Sequence, residues 1–245
     1  MTAHRLVIDV GNTLTKVAVF QAQKQIALHT SEKIHIPDLE NFRHSYQPAH
    51  AVLVSVGRLP EDTLEYLQSN YQLLMLDHHT PIPIRNLYKT PETLGKDRLA
   101  AVVAAADLFP GKNCLVIDAG TCITYDLIDR VAQYHGGAIS PGIPLRFKAL
   151  HTFTNKLPLV NHKNFDGLAG ATTEESILAG VINGSLAEME GTIGRYREKY
   201  PDLQVVLTGG DMNFFDKKLK SNIFAVPNLV LKGLNVILDF NVKNQ

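Results

Sequence analysis

The clearest hydrophobic pattern in this chain is an apolar run that ends in an aspartate and a short polar turn. Residues 6–9 read Leu-Val-Ile-Asp, residues 11–13 read Gly-Asn-Thr, and a second apolar run follows at 17–20. Short apolar runs bounded by turn residues are typical of buried strands. Glycine and asparagine supply the backbone freedom and the local hydrogen bonds that a tight turn needs. The pattern therefore predicts a buried β-hairpin with a polar tip.

The tip of this hairpin has two interpretations. Backbone N–H groups exposed at such a turn can hold a phosphate, and the carboxylate of Asp9 could hold the metal ion that accompanies it. Many hairpins, however, carry an Asp-Gly turn for purely local reasons. The first copy of the motif alone does not decide between the two.

A second copy of the motif favours the functional interpretation. Residues 115–118 again read Leu-Val-Ile-Asp, followed by Gly120 and, after two residues, by Ile123 and Thr124. The copy begins close to half a chain length after the first. Internal repeats indicate repeated structural units. We therefore expect two similar halves that hold a polyphosphate between them, with domains at 1–110 and 111–245 and a boundary at the Pro-Gly segment 110–113.

Periodicity and turn residues predict the remaining elements. Predicted strands lie at 25–29, 51–56, 73–76, 204–207 and 223–226, and predicted helices at 60–70, 93–108, 145–150, 172–199 and 230–240. Strands and helices in this order predict helices packed on a mixed sheet. Ser140 and Pro141 suit the N-cap and the first position of the helix before 150. Residues 77–91 and 151–170 are predicted to be irregular.

Several polar residues are candidates for chemistry, each with a structural alternative. Asp97 can be a helix-dipole partner in the first turn of its helix, or it can face the same cleft as Asp9 and Asp118. Tyr88 can be a packing lid or a ligand contact, and Thr173 can be a cap or a ligand contact. The segment 208–210, Thr-Gly-Gly after a strand, has the form that commonly admits a nucleotide.

Composition limits the class of partner. The chain has 245 residues, with 24 basic and 24 acidic side chains and a formal net charge of zero. Nucleic-acid and anionic-membrane binders usually carry a basic surplus, so we expect neither partner. Cys114 and Cys122 flank one predicted strand, which is not the framework of a secreted disulfide protein. No apolar run approaches the length of a membrane span. We therefore expect a cytoplasmic protein with a small-molecule partner.

These motifs, in this order, resemble the type III pantothenate kinases of the actin/hexokinase/sugar-kinase ATPase superfamily. The matching residues span nearly the whole chain. They are Asp9–Thr13 with Lys16, Gly95–Arg98, Asp118–Thr121, Gly136–Gly137 with Pro141–Gly142, Thr173 with Gly180, and Thr208–Gly210. The resemblance implies an α/β fold of two ribonuclease-H-like (actin-like ATPase) domains, each a mixed sheet flanked by helices, around a central cleft.

The resemblance also implies an activity and a set of site residues. The activity is ATP-dependent phosphorylation of pantothenate, the first step of coenzyme A biosynthesis, by a homodimer whose substrate site lies near the subunit interface. Expected ATP contacts are Asp9, Val10, Gly11, Asn12, Thr13, Leu14, Thr15, Lys16 and Thr121. Expected pantothenate contacts are Tyr88, Gly95, Lys96, Asp97, Arg98 and Thr173. Asp97 would be the general base, Asp118 would hold a monovalent cation (K⁺ or NH₄⁺), and Asp9 would approach the Mg²⁺ that accompanies ATP.

The residue types suit phosphoryl transfer, which needs positioning and charge neutralisation more than covalent participation by the protein. A carboxylate that accepts the proton of the attacking hydroxyl contributes typically about 10²- to 10⁴-fold. One departure from the family pattern is Cys122, where members usually have alanine; its thiol could make the tip sensitive to oxidation.

Two alternatives differ in acceptor or in class. A kinase for another small hydroxylated substrate would keep the fold, although the chain is short for an added sugar-binding domain. The second alternative is an ATP-binding regulator without catalytic turnover, because proteins named as accessory transcription factors also have this shape. Retention of Asp9, Asp97 and Asp118 favours an enzyme over that regulator.

Overall fold

The computed structural model describes residues 4–11, 13–55, 59–161 and 165–244. The strands are β1 (His4–Val10), β2 (Thr15–Gln21), β3 (Lys24–Ser31), β4 (His50–Ser55), β5 (Gln72–Met75), β6 (Arg85–Asn86), β7 (Cys114–Ala119), β8 (Cys122–Ile128), β9 (Gln133–Pro141), β10 (Gln204–Thr208) and β11 (Phe224–Ala225). The helices are α1 (Ile36–Tyr46), α2 (Glu61–Asn70), α3 (Lys96–Leu108), α4 (Ile143–Thr152), α5 (Thr173–Lys199), α6 (Met212–Asp216) and α7 (Leu229–Lys243).

The chain forms two compact units. The first comprises residues 1–108, 132–134 and 228–245, and the second comprises 109–131 and 135–227. The first segment of the first unit thus ends close to the predicted boundary, but α7 returns to that unit from the end of the chain. A division into two continuous domains, 1–110 and 111–245, does not include this return and stays a prediction.

The first unit contains a mixed five-stranded sheet in the order β3-β2-β1-β4-β5. β1 pairs antiparallel with β2 and parallel with β4, and β2 pairs antiparallel with β3. The predicted first hairpin, third strand and mixed sheet are therefore confirmed. The middle of β1, Leu6 to Ile8, is apolar and buried on both faces because the strand lies in the centre of a sheet that is covered on both faces.

The second unit repeats this arrangement. Its sheet runs β11-β10-β7-β8-β9, with β7 antiparallel to β8 and parallel to β10. β7 thus occupies the place of β1, β8 that of β2, and β10 that of β4. β6 extends the sheet by pairing with the first two residues of β9, Gln133 and Tyr134. Residues 132–134 are grouped with the first unit. The sequence repeat corresponds to a repeat of topology.

Helices cover the sheet of the first unit on both faces. One face packs against the helix residues Leu39 and Leu67, from α1 and α2. The other face packs against α3 and α7 through residues such as Val103 and Leu234. In the second unit, α4, α5 and α6 form one large cluster with the apolar residues of β7, β8 and β10. No helix in the described ranges is both long enough and apolar enough to cross a membrane.

Several local features differ from the sequence predictions. The two-residue strand β6 lies within 77–91, which was predicted to be irregular, and helix α6 was not predicted. Helix α1 was not predicted, and only Leu39 of its residues is buried. The predicted cap at Ser140 is wrong, because β9 continues to Pro141 and the N-cap of α4 is Gly142. The predicted start of α3 at Thr93 is also wrong, since 91–94 form turns and the helix begins at Lys96.

Candidate active site

The first hairpin tip lies at the end of the central strand β1. The amide of Gly11 donates to the carbonyl oxygen of Leu14 over 3.1 Å, which closes the turn. Val10 and Thr15 pair across the hairpin and are buried, whereas Leu14 is 43% exposed. Predicted ATP contacts at Val10 and Thr15 would therefore be backbone contacts. The tip also includes Thr13, which is exposed, while the predicted contact Asn12 lies outside the described residues.

Asp9 and Lys16 occupy directly opposite positions in the β1–β2 pair. Opposite residues of an antiparallel pair share one face of the sheet, with neighbouring side chains. The Lys16 Nζ donates to Oδ1 of Asn228 over 3.3 Å. Asn228 has a left-handed backbone with φ of 55° and precedes α7, a conformation that asparagine tolerates. The C-terminal helix therefore helps to hold the tip lysine, which the sequence did not indicate.

Asp97 is the second residue of α3 and is partly buried. Its Oδ1 accepts a hydrogen bond from the amide of Arg98 over 2.8 Å. A Cβ atom at residue 95 would lie 2.6 Å from the same oxygen, so the carboxylate lies against the backbone of Gly95. The structure brings Gly95, Asp97 and Arg98 together at the start of one helix, as the motif predicted.

Tyr88 lies beside the same helix. The guanidinium carbon of Arg98 is 5.9 Å from the centre of the Tyr88 ring, within the range of a cation–π contact. The Tyr88 ring also stacks on the ring of Tyr134, with 6.1 Å between ring centres and an interplanar angle of 10°. Arg98 is only 7% exposed. Tyr88 is therefore both a packing residue and a neighbour of the Gly95–Arg98 segment.

The second hairpin tip is built differently in detail. The amide of Gly120 donates to the carbonyl of Cys122 over 2.9 Å, and Thr121 between them is exposed. The amide of Gly142 donates to the carbonyl oxygen of Thr121 over 3.0 Å. A Cβ at residue 142 would lie 1.9 Å from the carbonyl oxygen of Gly120. Only glycine allows the turn before α4 to approach the tip this closely.

Asp118 lies at the end of β7, where β10 also ends. It pairs in register with Thr208 of β10. A Cβ on the following glycine, Gly209, would lie 2.5 Å from Oδ1 of Asp118 and 2.2 Å from the carbonyl oxygen of Ala119. Gly209 has a positive φ of 99°, which favours glycine. The Thr-Gly-Gly segment and the second Asp-x-Gly motif are therefore in contact.

The two tips differ by one residue in register, although the sequence repeat has no gap. In the first hairpin the residue opposite the aspartate Asp9 is Lys16, and in the second the residue opposite Asp118 is Thr124. The Thr124 Oγ1 is buried and has no hydrogen-bond partner among the described residues. The second tip thus presents a carboxylate and a buried hydroxyl oxygen where the first presents a carboxylate and an ammonium group.

Thr173 is the first residue of α5 and is exposed. The cap of this helix is Thr172, whose hydroxyl accepts from the amide of Glu175 over 3.2 Å. The Glu175 carboxylate in turn accepts from the amide of Thr172 over 3.2 Å, which completes a capping box. The capping alternative for Thr173 is therefore wrong, and its hydroxyl is not needed for the helix start.

Comparison with known proteins identifies the family of the chain. The family model of type III pantothenate kinases matches residues 5–195. The chain belongs to the type III pantothenate kinase family. A relative of that name from Bacteroides fragilis is 51% identical over 237 residues, covering 96% of this chain and 98% of the relative. Another from Christiangramia forsetii is 48% identical, covering 96% and 98%.

Solved structures show the same fold at low sequence identity. A Campylobacter jejuni protein described as a Baf family transcriptional activator aligns with a TM-score of 0.58 at 21% identity, covering 97% of this chain and 99% of that one. A glucokinase from an Antarctic psychrotroph aligns with a TM-score of 0.54 at 14% identity, covering 98% and 100%. The fold is therefore that of the sugar-kinase and actin-like ATPases, as the sequence predicted.

Proposed function

We propose that this chain transfers the γ-phosphoryl group of ATP to the primary hydroxyl of pantothenate, which forms 4'-phosphopantothenate in the first step of coenzyme A biosynthesis. The observation that carries the proposal is the pair of Asp-x-Gly hairpin tips. One tip ends the central strand of each unit, in a chain that belongs to the type III pantothenate kinase family. Backbone N–H groups exposed at each such tip are suited to hold phosphate groups.

In the first unit, the tip supplies charge and backbone donors for ATP. Lys16 would neutralise phosphate charge, residues 9–16 would contact the nucleotide through the turn, and Asp9 would help to hold the magnesium ion. Mg²⁺, when bound with ATP, neutralises charge on the phosphates. The hydrogen bond of 3.3 Å from Lys16 to Asn228 supports this role, because it limits the positions of the ammonium group before the nucleotide binds.

Asp97 is the general base in this proposal. Its carboxylate lies against Gly95 at the start of α3, where it would accept the proton of the pantothenate hydroxyl as the oxygen attacks phosphorus. Tyr88, Gly95, Lys96, Arg98 and Thr173 would bind pantothenate. The substrate is an anion, and the buried Arg98 beside Tyr88 is a cation suited to it.

In the second unit, Thr121 contacts ATP and Asp118 holds a monovalent cation. The unpartnered oxygen of Thr124, opposite Asp118 in the β7–β8 pair, fits a site for K⁺ or NH₄⁺, because such ions need several oxygen atoms around them. No cluster of three or more histidine, cysteine or acidic side chains suited to a metal occurs in the part of the chain that the structure describes. In this proposal, hydroxyl and carbonyl groups supply the remaining oxygens.

We further propose a cytoplasmic homodimer with the pantothenate site near the subunit interface. The test of function is ADP formation by the purified protein with pantothenate or with a panel of sugars, each with and without potassium. Pantothenate-specific, potassium-stimulated turnover is expected. Turnover with a sugar would favour a kinase for another small hydroxylated substrate. ATP binding without turnover on any acceptor would favour the non-catalytic regulator.

A further inference from the structure

The turn between β9 and α4 is joined to the second hairpin tip through backbone atoms alone. The Gly142 amide donates to the Thr121 carbonyl over 3.0 Å, and the Gly142 backbone leaves no room for a Cβ against the carbonyl oxygen of Gly120. A displacement of this turn would therefore displace the tip. Residues 120 and 121 are held from one side by this turn at 140–142, which consists of the last two residues of β9 and the N-cap of α4.

Arg146 is the side chain that holds this turn. Its Nε donates to the carbonyl oxygen of Pro141 over 2.8 Å, and its terminal nitrogen donates to Oγ of Ser140 over 3.0 Å. The same terminal nitrogen pairs with the carboxylate of Glu188. A planar guanidinium can satisfy three such acceptors at fixed angles, which an ammonium group cannot do. Arg146 lies one turn into α4, so it links that helix to the residues that precede it.

Glu188 anchors the arginine to the rest of the second unit. This residue of α5 accepts from the Tyr125 hydroxyl over 2.8 Å and from the Ser140 hydroxyl over 3.0 Å. Tyr125 is 2% exposed and lies on β8, the strand that starts at the tip. The network therefore connects the strand after the tip, the turn beside the tip and the long helix α5.

The charge state of Glu188 agrees with this role. Burial raises the pKa of Glu188, but the hydrogen bonds from Arg146, Tyr125 and Ser140 outweigh it and hold the pKa below its ordinary value. The carboxylate is therefore ionised at neutral pH, and Arg146 has a permanent partner. Burial and the hydrogen bond to Glu188 raise the pKa of Tyr125, which keeps its hydroxyl a donor.

We propose that Arg146 is a positioning residue for the nucleotide: by fixing the turn at 140–142 through Glu188, it sets the position of Thr121. The inference rests on the proposed function in one respect, namely that Thr121 contacts ATP. It adds residues that the tip motif does not contain. Neither Arg146 nor Glu188 belongs to the proposed contacts of ATP or pantothenate.

The kinetic test uses Arg146→Ala in the full chain. Misplacement of a contact by about 1 Å can cost on the order of 100-fold, so we expect the KM for ATP to rise about 10- to 100-fold while the KM for pantothenate changes less than about twofold. Arg146→Lys keeps the charge but not the planar fork, and it should recover only part of the loss. Lys148→Ala, an exposed cation on the same helix, is the matched control and should leave both KM values unchanged.

A second readout does not depend on activity. Amide hydrogen exchange of the free protein should be faster at Gly142 and across 120–124 in Arg146→Ala and Glu188→Gln than in the unchanged chain or Lys148→Ala. If Arg146→Ala does not fold, Glu188→Gln and Arg146→Lys provide both measurements. Equal rises of the two KM values, or unchanged exchange at the tip, would overturn the inference. Absence of turnover in the unchanged chain would instead reject the proposed function, and the exchange data would still test the positioning role.

Discussion

The backbone of Gly142 supports the backbone of Thr121: the Gly142 amide donates to the Thr121 carbonyl over 3.0 Å. This single bond joins the start of α4 to the second of two equivalent hairpin tips. The tip contacts of the second unit are thereby made by glycine backbone at Gly120, Gly142 and Gly209. At Gly142 and Gly209 the missing Cβ permits close approach of backbone to backbone, whereas a Cβ at Gly120 would meet no atom within 4 Å.

Gly142→Ala tests this contact. The added Cβ would lie 1.9 Å from the Gly120 carbonyl oxygen and 2.7 Å from that of Thr121, so backbone must move. Overpacking of this kind costs typically about 1–3 kcal/mol, and we expect a lower melting temperature together with a higher KM for ATP. Thermal unfolding and steady-state kinetics measure the two effects.

Gly194→Ala is the matched control for that substitution. A Cβ at Gly194 in α5 meets no atom within 4 Å, and alanine is favoured over glycine inside a helix by about 1 kcal/mol. Gly194→Ala should therefore be at least as stable as the unchanged chain. If Gly142→Ala behaved like Gly194→Ala in stability and in ATP kinetics, the close contact at the tip would be wrong.

The two cysteines should differ in reactivity. Cys114 is fully buried, and burial raises its pKa to about 12, whereas Cys122 is partly exposed at the start of β8. Because the thiolate is the reactive form, iodoacetamide at pH 8 should label Cys122 and leave Cys114 unmodified. ATP should slow the labelling, which peptide mass spectrometry can follow, and Cys122→Ala is the control. Preferential labelling of Cys114, or a rate that ATP does not change, would contradict this prediction.

Glu188 should contribute to acid sensitivity. The pKa of Glu188 in the folded chain lies below the ordinary value of 4.5. The ionised carboxylate therefore stabilises the fold fully above about pH 4.5. This contribution is lost as the pH falls from there through the lower pKa of the folded chain. Melting temperatures of the unchanged chain and of Glu188→Gln should therefore differ most at neutral pH and converge below about pH 4.5. A difference that grows on acidification would have the wrong sign for this network.

Much of the fold could be predicted because strong local patterns carry it. In the structure, the two Leu-Val-Ile-Asp runs lie in the central strands β1 and β7. Their repetition predicts the repeated topology of β1-β2-β4 and β7-β8-β10. Helix α1 could not be predicted in the same way. It buries only Leu39 and has His35 at its N-cap, so it shows neither an apolar periodicity nor a preferred capping residue.

Other features depend on contacts between residues distant in sequence. Ser140 has the chemistry of an N-cap, but its hydroxyl bonds to Glu188 and Arg146, and the strand β9 continues past it. The return of α7 to the first unit depends on packing with α3. The role of Asn228 follows from its position at the start of α7, and that of Thr124 from a register difference of one residue. None of these contacts leaves a local signal in the sequence.

The central claim is that Asp97 acts as the general base of a pantothenate kinase. The most direct test compares Asp97→Asn with Asp107→Asn, which makes the same change at an exposed position of the same helix. Pantothenate-dependent ADP formation and the Kd for ATP are measured for both variants.

Loss of a general base should lower kcat by about 10²- to 10⁴-fold, so we predict that fall for Asp97→Asn with an ATP Kd within about threefold of the unchanged chain. Asp107→Asn should retain turnover. Near-normal kcat in Asp97→Asn, or a loss of ATP affinity that accounts for the whole defect, would contradict the account.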